Sequence, residues 1–138
     1  MGGRGGSLSL SVAQQAAMGQ ILFVGRGLNF QSVADQALTK VFTGTAFRIR
    51  DIYARRKTGA GSVACAGGVY DTVAKGGNAI VSAVQSWVTL ASGVSVSASL
   101  AALVDTADMA AANLYLSLTT GSTGALTADL FVFGYVTD

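Results

Sequence analysis

Ala125-Leu-Thr-Ala-Asp-Leu-Phe-Val-Phe-Gly-Tyr-Val136 is apolar on both of its alternating faces. Leu126, Ala128, Leu130, Val132 and Val136 share one parity, and Phe131, Phe133 and Tyr135 share the other. Successive side chains of a strand point to opposite sides of a sheet. One set therefore fills the domain's own core, and the three aromatics of the other set need a second partner. Upstream, Asn113-Leu-Tyr-Leu-Ser-Leu-Thr119 alternates Leu114, Leu116 and Leu118 with Tyr115 and Ser117, and the Thr-Gly-Ser-Thr-Gly between the two runs reads as the turn of a closing hairpin. A strand covered on both sides in a small domain implies sheet-on-sheet packing plus contact with another molecule. On this reading Phe131, Phe133, Tyr135 and Tyr115 lie between subunits, and Phe133→Asp should yield monomers or insoluble protein.

Working outward, Ala46-Phe-Arg-Ile-Arg-Asp-Ile-Tyr-Ala54 is a strand rich in β-branched and aromatic residues. Its apolar phase runs Phe47, Ile49, then shifts by one residue to Ile52 and Ala54, the trace that a β-bulge leaves in sequence. Ile21-Leu-Phe-Val24 is a further strand, ended by a Gly25-Arg-Gly27 turn; no third glycine follows at the spacing of a nucleotide-binding loop. Residues 33–41 fit a helix or a strand, and residues 79–90 are equally ambiguous, Ile80, Val84, Trp87 and Val88 matching helical spacing. Arg55-Arg-Lys-Thr-Gly-Ala-Gly reads as a basic turn, residues 63–70 as a small-residue strand, residues 71–78 as a loop. In Val94-Ser-Val-Ser-Ala-Ser-Leu100, Val94, Val96, Ala98 and Leu100 point inward. About eight short strands separated by Gly/Ser/Thr turns make an all-β chain, expected as a jelly-roll-like antiparallel β-sandwich. The domain spans residues 21–138, and a flexible Gly-rich N-terminal arm, residues 1–20, precedes it. Residues 8–18 of that arm could form a short helix or an edge strand.

The composition narrows the function. The chain of 138 residues is long enough for one domain that buries roughly two-thirds of its unfolded surface. Charged residues are only 12% of it, few for a monomer that must keep itself soluble. There is no His, no Glu and no Pro, and the seven acids are all Asp. Without His the usual catalytic triads, His-based metal sites and the commonest general acid/base are missing, so neither an enzyme, a metal site nor a cofactor is expected. Cys65 stands alone among Val63, Ala64 and Ala66 and reads as a small buried hydrophobe. The Met1-Gly-Gly-Arg start resembles neither a secretory signal nor a myristoylation motif, and the uncharged residues 76–104 are too rich in Ser, Thr, Gln, Asn and Gly for a membrane span.

Charge is divided along the sequence. All nine Lys and Arg lie at or before Lys75, whereas the only charges after it are Asp105, Asp108, Asp129 and Asp138. Such polarity suits head-to-tail or lattice contacts. Arg48, Arg50, Arg55, Arg56 and Lys57 form the one basic cluster, either a solvated strand face and turn or a contact to an acidic partner surface or to phosphate. No aromatic residue interleaves with it in sequence to stack bases, and nucleic acid is not an expected partner. Trp87, the only tryptophan, reads as a core or interface residue.

Asn29-Phe-Gln-Ser-Val-Ala-Asp-Gln-Ala-Leu-Thr39, Ala66-Gly-Gly-Val-Tyr-Asp-Thr-Val-Ala-Lys-Gly-Gly-Asn-Ala-Ile-Val81, Leu114-Tyr-Leu-Ser-Leu-Thr-Thr120 and Thr127-Ala-Asp-Leu-Phe-Val-Phe-Gly134 together resemble the small β-rich virion proteins of tailed bacteriophages. The resemblance spans residues 28–136. It implies a jelly-roll-like structural protein without catalytic residues, a capsid decoration (cement) protein that binds the outer capsid surface as a homotrimer and stabilises it. The alternative it implies is a tail, head-fibre or receptor-binding component that uses the same fold to bind host-surface glycans, for which a surface pocket lined by Trp87 or Tyr70 would speak. The partners would be the chain itself and the major capsid protein, at the capsid surface of the virion and, during assembly, in the host cytoplasm. Arg4, Arg48, Arg50, Arg55, Arg56 and Lys57 would touch the capsid. The basic Arg55-Arg56-Lys57 run departs from the uncharged loop expected of the group.

Overall fold

A computed structural model describes residues 19–59, 64–100 and 108–138. Arg4, the arm up to residue 18 and Asp105 lie outside these residues. Eight antiparallel strands form one sheet: β1 (Gln20–Asn29), β2 (Gln36–Lys40), β3 (Phe47–Gly59), β4 (Ala66–Thr72), β5 (Gly76–Val81), β6 (Val96–Ser97), β7 (Leu114–Thr120) and β8 (Leu126–Val136). The chain is all-β and antiparallel, as expected, with no α-helix among the described residues and a single 3₁₀ turn at Val88–Ser92. The order across the sheet is β5-β4-β7-β2-β1-β8-β3-β6. The strands thus run as one continuous curled sheet. An isolated pairing of Val81 with Leu100 joins the β5 edge to the segment leaving β6, so the curl returns one edge to the other.

β8 is the regular strand around which this curl is built. It lies between β1 and β3, pairing with β3 along its whole length and with β1 from Thr127 to Gly134. Each neighbour carries two register shifts against it, at Ile21/Phe23 and Gly25/Leu28 on β1 and at Ile49/Asp51 and Arg56/Thr58 on β3. A bulge adds a residue to one strand only and increases its local twist. Bulges on both flanks of a regular strand therefore coil the sheet around it. The phase shift read between Ile49 and Ile52 is one of them, with Arg50 as the extra residue.

The inward faces meet in one core. Leu126, Ala128, Leu130 and Val132 of β8 are buried with Phe47, Ile49, Ile52 and Ala54 of β3 and with Leu114, Leu116 and Leu118 of β7. Phe23, Phe42 and Phe47 pack edge to face with ring centroids 5.3–5.9 Å apart. Such pairs contribute about 0.5–1.5 kcal/mol each beyond the burial of their area. At another point in the core Phe30 meets Trp87 at 5.7 Å, and Trp87 Nε1 donates to the Gly67 carbonyl at 3.0 Å. Gly134 is required by close approach, since a Cβ there would lie 1.9 Å from the Arg48 carbonyl oxygen.

Several local expectations are corrected. β7 and β8 do not form a hairpin: β7 pairs with β2 and β4, β8 with β1 and β3. The Thr-Gly-Ser-Thr-Gly segment is a crossover between the two regions of the sheet, tied down by Ser122 N–H donating to Phe30 O at 2.7 Å and Phe30 N–H to Leu126 O at 2.8 Å. Gly25-Arg-Gly27 is not a turn. It is the second bulge of an unbroken β1, and Gly27 takes the left-handed φ of +59° that the bulge needs. Arg55, Arg56 and Lys57 continue β3. Residues 71–78 are mostly strand, from the β4–β5 hairpin. Residues 33–41 and 79–90 take no α-helix: Leu38 is the buried position of β2, and Val84, which an α-helix would have placed with Trp87, is 83% exposed. Val94 is exposed, while Val96 and Ala98 point inward.

Candidate functional site

The outward row of β8 is Thr127, Asp129, Phe131, Phe133 and Tyr135, each partly exposed. Register fixes their neighbours. On β1, Ile21 stands opposite Phe133 and Val24 opposite Phe131. On β3, Arg48 stands opposite Tyr135, Asp51 opposite Phe133, Tyr53 opposite Phe131 and Arg55 opposite Asp129. The bulge at Arg50 makes Arg50 and Asp51 consecutive exposed residues, which is why a strand with a buried Ile49 and Ile52 can present both.

The result is an aromatic ladder with arginines laid on it. The Tyr53 and Phe131 rings lie 6.1 Å apart at 30°. The Arg26 guanidinium sits 5.8 Å above the Phe131 ring, and the Arg50 guanidinium 5.5 Å above the ring of Tyr135, whose hydroxyl accepts a hydrogen bond from Arg50 Nη1. Stacking of this kind contributes about 0.5–1 kcal/mol at an exposed site. Asp129 fastens the β1 bulge, accepting from Gly27 N–H at 2.8 Å and pairing with Arg26 at 3.7 Å. Arg48 Nε donates to Asp108 at 2.6 Å. Lys57 reaches over β8 to β1, its Nζ 3.7 Å from where a Cβ of Gly27 would stand.

The aromatics expected between subunits and the cations expected on the capsid thus occupy one face. Phe131, Phe133 and Tyr135 share it with Arg48, Arg50, Arg55 and Lys57. The reading that no aromatic residue accompanies the basic cluster holds only along the sequence; across strands the two interleave. Arg56 is not on this face. It pairs opposite the inward Ala128 and donates to the carbonyls of Gly59 at 2.8 Å and Ala91 at 3.1 Å. Tyr115 lies in the other region of the sheet, opposite Ala37 and Tyr70. Arg26 and Tyr53 belong to the face and were not singled out from sequence. Tyr53 could have been found by counting two residues on from Asp51, whereas Arg26 was hidden in an apparent turn.

Other features place themselves elsewhere. Trp87 is fully buried and Tyr70 nearly so, and neither lines the surface depressions beside β1–β2 and beside Asp71 and Asp108. Cys65 is buried, with its thiol pushed up to about 11 by desolvation. Asp35 is held below the usual carboxylate range by the Ala74 N–H, and Asp138 by the Thr45 hydroxyl and N–H. Among the described residues no three metal-ligating side chains gather, and no helix is long and apolar enough to cross a membrane. No family model, characterised protein or solved structure matches the chain.

Proposed function

We propose that this chain is a structural, non-catalytic phage virion protein that attaches to the outer surface of a capsid and stabilises it, working as a homotrimer. The observation that carries the reading is the outward face of β1, β8 and β3. It combines partly exposed Phe131, Phe133, Tyr135 and Tyr53 and the 39%-exposed Ile21 with arginines stacked on the rings. Rigid aromatics and Arg on a sheet are the residues that dominate binding energy in protein interfaces. The resemblance to small virion proteins supplies the identity of the assembly. Three copies of the face in one trimer gain avidity, so each contact can be weak.

Mixing the purified protein with undecorated capsids tests this. Saturable binding and a gain in capsid heat stability are expected, and hundreds of copies per virion. Absence of both binding and stabilisation, or a handful of copies per particle, would overturn it.

A further inference from the structure

The attachment face has a definite chemistry. We infer that it takes a carboxylate-bearing protein surface, recognised by guanidinium groups held over aromatic rings; the inference rests on the attachment reading above and names its partner.

Three occupants compete for such a face. A second copy, packed face to face, would bring Arg26, Arg48, Arg50, Arg55 and Lys57 against the same five cations, and like charges brought together at an interface cost several kcal/mol. Single-stranded nucleic acid would need open ring faces for its bases. Here Arg26 already lies over Phe131 and Arg50 over Tyr135.

An acidic protein surface meets neither obstacle. Five cations face three carboxylates, Asp51, Asp108 and Asp129, and two of those are taken up by Arg48 and Arg26. Arg55 and Lys57 are exposed and have no ion pair among the described residues. Guanidinium groups bind carboxylates through a planar fork, and one that is already stacked loses less freedom on doing so. Phe133 and Ile21, paired at the centre of the face, supply the apolar contact that excludes water from those ion pairs.

The test titrates the full chain with poly(Glu,Tyr), a copolymer bearing carboxylates and aromatic rings, and with an oligo-dT strand. Self-association is followed in parallel by sedimentation. Binding of the copolymer is expected to be saturable and to weaken about tenfold between about 50 and 300 mM salt. It should fall at least about tenfold in the Arg26→Gln/Arg50→Gln double variant and stay unchanged in Lys75→Gln, on the β4–β5 turn. Arg50→Lys, which keeps the charge but not the fork, should fall between the two, and it replaces the double variant if that chain fails to melt cooperatively.

No copolymer binding, tighter binding of oligo-dT, an equal loss in Lys75→Gln, or self-association abolished by the double variant would each overturn the inference. The capsid assay separates the two readings. Capsid binding unaffected by the double variant leaves decoration standing and removes the acidic partner. Copolymer binding without capsid binding does the reverse.

Discussion

The side-chain amide of Gln36 stands in for a β-ladder partner of Asn29. Its Oε1 accepts from Asn29 N–H at 2.7 Å and its Nε2 donates to the Asn29 carbonyl at 2.8 Å. Backbone pairing between β1 and β2 is confined to Phe23–Lys40 and Val24–Thr39, so this amide closes the seam where the two strands diverge. Gln36→Ala should therefore destabilise the fold by about 1 kcal/mol, the usual net value of hydrogen bonds at a partly exposed site. Gln36→Glu should cost a similar amount, because it keeps the acceptor and sets a carboxylate against a carbonyl. Urea denaturation of the three proteins checks both.

Trp87 gives the core an optical reporter. Its ring is buried against Phe30 and its Nε1 is bound to Gly67. Native emission should be blue-shifted and insensitive to iodide, and should move red on unfolding. Trp87→Phe keeps an aromatic ring but leaves the Gly67 carbonyl without its donor and a gap beside Phe30, a loss of about 2–3 kcal/mol.

The Cys65 thiol predicts an alkaline transition. Burial raises its pKa from 9.0 to about 11, so the folded protein holds a proton that the unfolded chain releases earlier. A raised folded pKa gives stability that is full below pH 9.0 and is lost as pH rises toward about 11. In Cys65→Ala that part of the alkaline loss should disappear, read as the difference between the two proteins' denaturation midpoints across this window. In the native protein at neutral pH, Cys65 should react with a thiol reagent only at the rate of unfolding.

Phe133 tests the face without touching the core. Its side chain points outward from β8, opposite Ile21 and Asp51, so Phe133→Asp should fold with a melting temperature within a few degrees of the parent. It should lose capsid binding at least about tenfold, because it adds a fourth carboxylate to the face, opposite Asp51, and removes the central apolar contact. Monomeric or insoluble Phe133→Asp would instead place the residue between subunits, the outcome expected from the sequence alone.

Much of this architecture was legible from local pattern. The two parities of β8, the inward leucines of β7 and the bulge at Arg50 all follow from alternation, which depends only on each strand's own residues. Pairing does not. β7 and β8 look like a hairpin because a short Gly-rich segment joins them, yet each sits between two other strands. The face that combines aromatics and cations was missed for the same reason. Its aromatics lie on β8 and its cations on β1 and β3, and only the register brings Arg26 and Arg50 to Phe131 and Tyr135. Arg26 was further hidden because a Gly-x-Gly bulge and a Gly-x-Gly turn have the same letters.

The place of β8 has a consequence for how the protein is made. Its eleven residues are the shared partner of β1 and β3, which do not pair with each other. Until residue 136 has left the ribosome, those two strands present unsatisfied edges to whatever is near, and edges of that kind invite pairing with other chains. Synthesis at roughly 5–20 residues per second keeps them in that state for several seconds. The strand that centres the aromatic face is thus also the last to be translated of the eight, and the fold is assembled around its latest part.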